Sequence, residues 1–137
     1  MKNILITGGG GYIGTNLTKE LLNEGYKITV LDTFWFGNYI EKHKKLKILK
    51  KDIRDIVKKD LNKIDCIMHL ASIANDPAAE LDAKLTWDVN VLATYKLINL
   101  AIAKKVKKFI FASSGSVYGI KKDKKVTEDL SLEPISE

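Results

Sequence analysis

The 137 residues suffice for one domain with a core of its own, and the 45% hydrophobic content is ordinary for a globular chain. No apolar run approaches the ~18 residues of a membrane-spanning helix, and the N-terminus is too short in its apolar stretch and too rich in glycine for a signal peptide. The net charge of +6 is almost all lysine; with Arg54 the only arginine and no aromatic residues among the lysines, solvated lysine faces are expected and no nucleic-acid partner.

In chain order, Asn3–Thr7 reads as a short buried strand running into the glycine cluster Gly8–Gly11. A helix is predicted over about 12–24, ending near Gly25. A second strand, Lys27–Leu31, ends at Asp32, and a third spans Leu46–Leu49. A helix is expected over 53–60, a strand over Ile64–Leu70, a long helix over 83–104 and a fifth strand over Lys107–Ala112. Strands alternating with helices imply a parallel sheet with helices on both faces. Residues 120–137 turn polar and read as a loop-like tail of the same single domain, 1–137. The long helix is apolar on more than one face, from Leu85 and Trp87 to Tyr95, Ile98 and Ile102. Such a helix should pack on a second element besides its own sheet, either a further helix or a partner subunit. Cys66 lies alone in an apolar run, so a buried, inert thiol is expected and no metal site. A cytoplasmic location follows by default.

The sharpest signal is Thr7-Gly8-Gly9-Gly10-Gly11-Tyr12-Ile13-Gly14, between a strand and a helix. Gly8, Gly11 and Gly14 are spaced to let the chain bend tightly, let a diphosphate approach the backbone, and let the helix pack closely on the strand. The helix N-terminus then offers free N–H groups and partial positive charge to an anion. Asp32, eighteen residues past Gly14, can accept hydrogen bonds from ribose hydroxyls and would repel a 2′-phosphate. No arginine follows it, so NAD is expected over NADP.

With these residues in hand, the chain resembles the extended short-chain dehydrogenase/reductase family, specifically its NAD-dependent nucleotide-sugar epimerases and dehydratases. Thr7–Gly14 is similar to that family's TGGxGxxG segment, and Asp52-Ile53-Arg54-Asp55 to its D-[ILV]-R-D. His69-Leu70-Ala71-Ser72 is similar to its HLAA segment, Val89-Asn90-Val91 with Thr94 to its VNVxGT helix (Ala93 replacing the usual glycine), and Ser113-Ser114 through Val117-Tyr118-Gly119 to its SS-x-x-VYG. The resemblance implies a Rossmann-type doubly wound parallel sheet of about five strands, with the C-terminal part of the family fold missing. It implies NAD held by Gly8, Gly11, Tyr12, Ile13, Gly14, Asp32, Asp52, Ile53, Leu70, Ala71, Ser72 and Asn90, with Asp52 meeting the adenine amino group. Asp52 could equally cap the helix at 53, and Asn90 could be a hydrogen-bonded group inside the fold. His69 and Tyr118 are expected to pack and not to move protons.

The same resemblance makes Ser114 the catalytic hydroxyl and implies a catalytic tyrosine with a lysine four residues on. Tyr118 and Lys122 have that spacing, but Tyr118 belongs to the VYG segment. Glu133-Pro134-Ile135-Ser136-Glu137 is similar to the stretch just before the family's catalytic tyrosine, so the chain is expected to stop short of its base. Gly115 and Ser116 stand where 4,6-dehydratases carry an acid pair, which favours epimerisation or simple sugar oxidation. The expectations are therefore an NAD-binding part of a nucleotide-sugar epimerase or oxidoreductase, homodimeric, that binds NAD without turnover; the alternative is a non-catalytic NAD(P)-binding regulatory or redox-sensing module.

Overall fold

The computed structural model describes residues 2–74, 81–122 and 125–135. Asp123, Lys124, Ser136 and Glu137, from the lysine-rich and terminal segments discussed above, lie outside them.

Five strands, β1 (Asn3–Thr7), β2 (Lys27–Asp32), β3 (Leu46–Lys50), β4 (Cys66–His69) and β5 (Lys108–Phe111), form one parallel sheet in the order β3-β2-β1-β4-β5. Parallel strands must be covered on both faces, and the alternation of side chains divides the core accordingly. Ile4, Ile6, Ile28, Val30 and Cys66 point to one face, where Leu22 of helix α1 (Tyr12–Asn23) joins them. Leu5, Leu31 and Ile67 point to the other, against Ile53, Ile56, Leu61, Val89, Ala93, Leu97 and Ala101. Each fully buried valine, leucine or isoleucine among these contributes roughly 1.5–3 kcal/mol relative to exposure.

Helix α1 buries Gly14, Thr18 and Leu22, four residues apart on one stripe. It ends as the sequence predicts. Gly25 takes φ +87°, its N–H bonds to the Leu22 carbonyl and the Tyr26 N–H to that of Leu21, so the last carbonyls are capped.

Two predicted helices differ from what forms. The 53–60 segment is two 3-10 turns, Ile53–Asp55 and Lys58–Leu61, separated by extended backbone at Ile56 and Val57. In one continuous helix Ile56 and Leu61 would lie about 140° apart, at 100° per residue. The break lets both, with Ile53, enter the same core cluster. The long helix is α2 (Ala83–Trp87), a π turn at Asp88–Leu92, and α3 (Ala93–Ala103). Such a π turn inside an α-helix re-aims side chains and is common at functional sites.

Candidate functional site

The chain winds outward from β1 through β2 to β3, then crosses back to β4 on the other side of β1. The loops after β1 and β4 therefore part company at the carboxyl ends of the strands, the place where open α/β sheets hold ligands. A cleft of about 500 Å³ opens there.

Its floor is the glycine turn. Gly8 has φ +71°, and a Cβ on it would sit 2.5 Å from the Ala71 amide nitrogen. A Cβ on Gly14 would meet the Gly8 carbonyl oxygen at 2.5 Å, so α1 starts hard against the turn. Gly11 differs: a Cβ there would touch only the Gly8 oxygen, at 3.4 Å, and the remaining room belongs to the cleft. The first-turn N–H groups of a helix have no intrahelical partner. No side chain caps those of α1, its first turn carries no acidic residue, and Tyr12, Ile13 and Gly14 line the cleft. This end of the helix fits a negatively charged group.

Asp32, at the end of β2, faces the turn. Its Oδ2 accepts the Gly10 N–H at 2.9 Å and its Oδ1 the Phe34 N–H at 2.7 Å. Each oxygen keeps a further lone pair for a ligand hydroxyl. Asp52, at the end of β3, caps the turn at 53–55 by accepting the Arg54 N–H at 2.8 Å. It also takes the Arg54 guanidinium in a two-pronged pair, Nε at 3.1 Å and Nη2 at 2.8 Å. These bonds hold the Asp52 carboxyl below its ordinary pKa. Asp52 and Ile53 line the cleft, and so do Leu70, Ala71 and Ser72 after β4.

Asn90 and Ser114 stand apart from that lining. The Asn90 amide, presented by the π turn, clasps the Ile73 backbone. Its Oδ1 accepts the Ile73 N–H at 2.8 Å and its Nδ2 donates to the Ile73 carbonyl at 3.0 Å. It thereby fixes the loop that forms the wall. Ser114 is exposed and caps the turn Gly115–Tyr118, accepting the Ser116 N–H at 3.1 Å; its neighbours Ala112 and Ser113 reach the cleft.

Behind the wall, His69 is fully buried at the end of β4. The Thr94 hydroxyl donates to the Asn90 carbonyl at 2.7 Å, so it must accept from His69 Nε2, also at 2.7 Å. His69 Nδ1 is then the acceptor of the Thr7 hydroxyl, 2.5 Å away. The chain Thr7–His69–Thr94–Asn90 links the strand under the glycine turn to the loop at Ile73. Burial lowers the His69 pKa to about 4, and its ring stacks on Phe111 at 5.6 Å.

Sequence reasoning missed several lining residues: Thr33 to Gly37 on the rim, Lys51, and Ile73 and Ala74. The run Phe34-Trp35-Phe36 directly after Asp32 was the available signal. Lys51 reaches Asp60 Nζ to Oδ2 at 2.7 Å, a pairing that depends on the break at Ile56 and left no trace in the pattern. Cys66 is buried, and burial pushes its thiol pKa up. No group of three metal-binding side chains occurs, and no helix is long and apolar enough to cross a membrane, among the described residues.

The sequence profile of the NAD-dependent epimerase/dehydratase family matches residues 4–137. The chain is 36% identical over 137 residues to a UDP-glucose 4-epimerase of Lactobacillus helveticus, covering 97% of this chain and 42% of that protein. Its fold matches the UDP-N-acetylglucosamine 4-epimerase of Methanobrevibacter ruminantium, solved with UDP-N-acetylmuramic acid. The TM-score is 0.91 at 31% identity, over 98% of this chain and 45% of that one. The UDP-glucose 4-epimerase of Thermus thermophilus in complex with NAD gives 0.89 at 28% identity, over 98% and 45%. The chain thus spans less than half the length of these proteins.

Proposed function

The chain belongs to the NAD-dependent epimerase/dehydratase family, and on that premise we propose that these residues form the NAD-holding part of a nucleotide-sugar epimerase or oxidoreductase. One observation carries the reading: the uncapped first turn of α1 and the Asp32 carboxylate open onto one cleft at the crossover point of the sheet.

The N–H groups of Tyr12, Ile13 and Gly14 take the diphosphate, with Gly11 leaving the space it needs. Asp32 accepts the adenosine ribose hydroxyls and repels a 2′-phosphate. Asp52 and Ile53 receive the adenine. Leu70, Ala71 and Ser72 line the cleft after β4, held in place through Asn90 and Ile73. NAD, when bound, supplies the acceptor for hydride from a sugar carbon. Ser114 orients the reacting sugar hydroxyl. Gly115 and Ser116 bring no acid to that point, which favours epimerisation or oxidation over elimination of water. The only Tyr-x-x-x-Lys spacing is Tyr118 with Lys122, and Tyr118 closes the 3-10 turn 115–118. The 137 residues therefore bind NAD without turning substrate over. The reading places the protein in the cytoplasm, with a nucleotide sugar and a second copy of the chain as partners.

Titration calorimetry of the 137-residue chain tests this. NAD should bind more tightly than NADP. Gly11→Ala should cost about 1 kcal/mol or less in stability yet weaken NAD at least tenfold, because the added methyl enters the diphosphate's space. Tighter binding of NADP, or a Gly11→Ala variant with unaltered NAD affinity, would refute the proposal.

A further inference from the structure

The chain leaves Asp32 through a feature the cofactor cleft does not by itself require. Phe34 to Gly37 make a β-turn, closed by the Gly37 N–H on the Phe34 carbonyl at 3.1 Å. Its two corner residues are Trp35 and Phe36. Turn corners are ordinarily Gly, Pro, Asn, Asp or Ser, whereas here two large aromatic residues stand 63% and 87% exposed on the cleft rim.

The base of the turn is fixed on every side. The Phe34 N–H is held by Asp32 Oδ1 at 2.7 Å, and its backbone takes φ +55°, uncommon for a bulky side chain. The Phe34 ring lies over Gly10, where a Cβ would come within 2.7 Å of it. Gly37 needs its φ of +97°, and the Tyr39 ring lies against it, 3.1 Å from where a Cβ would stand. Backbone strain and apolar exposure are thus held together at one spot, beside the carboxylate and one strand from Asp52 and Ile53.

We propose that Trp35 and Phe36 form a stacking platform for the adenine ring, so that the adenosine end of the dinucleotide is held by aromatic contact as well as by Asp32. This rests on the dinucleotide reading above. Stacking needs a π face and no particular hydrogen-bond pattern, which suits rings carried on a rigid, solvent-facing turn.

The 137-residue chain, titrated by calorimetry with NAD, AMP and nicotinamide mononucleotide, gives the test. Replacing both Trp35→Ala and Phe36→Ala should weaken NAD and AMP by about tenfold or more. It should leave nicotinamide mononucleotide unaffected and the melting temperature nearly unchanged, since both side chains are exposed. Trp35→Phe should keep most of the affinity. In a Trp87→Phe background Trp35 is the only indole, and saturating AMP should quench its emission. Unchanged NAD and AMP affinity in the double variant, an unmoved Trp35 emission, or a loss confined to nicotinamide mononucleotide would overturn the platform while wild-type NAD binding kept the cleft's assignment intact. Failure of the wild-type chain to bind NAD would overturn both.

Discussion

His69 shows how one buried side chain can tie fold to site. Its imidazole is closed off from water, donates through Nε2 to Thr94 and accepts through Nδ1 from Thr7. The acceptor role of Nδ1 belongs to the neutral ring; protonation would make Nδ1 a donor and oblige the Thr7 hydroxyl to turn and accept, while the Nε2–H bond to Thr94 would persist. Burial accordingly lowers its pKa from 6.5 to about 4. Between those values the unfolded chain binds a proton that the folded chain refuses, so stability is fully present above pH 6.5 and is lost as pH falls toward 4. The loss is about 3 kcal/mol over that window, at 1.36 kcal/mol per pKa unit. The carboxylates Asp52 and Asp60, whose pKa values are held below normal by Arg54 and by Lys51, give up their contributions only at lower pH. Urea midpoints measured from pH 7.5 to 4 should decline through this range in the wild type. In His69→Gln, less stable at neutral pH, the decline should be nearly flat. Parallel curves for the two proteins would show that His69 is not the titrating group.

At the scale of elements, what was legible in the sequence was what depends on local pattern. The strands are continuous apolar runs because both sheet faces are covered, and α1 carries its stop signal in Gly25. The glycine turn and Asp32 were readable because spacing alone sets their geometry. Elements decided by distant partners were not readable. The split of 53–60 follows from three side chains competing for one core cluster, and from Asp60, which accepts the Val57 N–H at 2.9 Å and pairs with Lys51. The π turn follows from Asn90 being needed at Ile73 and Thr94 at His69, contacts 17 and 25 residues apart in sequence. A helix-period pattern cannot signal the extra residue in that turn. This gives the π turn a testable duty. Asn90→Ala should strip the Ile73 N–H and carbonyl of their partners at a cost of about 1–3 kcal/mol. The site-side consequence is faster amide exchange at Ile73 and weaker NAD binding, while the exchange of β1 and β2 stays slow. Unchanged protection of Ile73 would mean that the loop holds its shape without the amide clasp.

At the scale of the whole molecule, the two edges of the sheet are managed differently. The β3 edge carries Lys47 and Lys50, charges that discourage strand-to-strand pairing. The β5 side carries Ile110 and an exposed Phe111, and beside it the 83–103 segment shows Trp87, Leu92, Tyr95 and Ile102 to solvent, the last two at 67% and 69%. The sequence predicts such a helix to pack on a second element, and no described residue of this chain covers it. Apolar surface of that extent favours a second copy, whereas the +6 charge of each copy opposes the approach. The balance makes self-association dependent on ionic strength: screening removes the repulsion and leaves the apolar gain almost untouched. Sedimentation velocity should therefore show the 137-residue chain moving from monomer toward dimer with rising concentration, and more so at 0.5 M than at 0.05 M salt. Tyr95→Glu with Ile102→Lys should hold it monomeric at both salts without lowering its melting temperature. A monomer at every concentration and salt would mean that this face stays open, and a dimer indifferent to the double substitution would place the contact elsewhere.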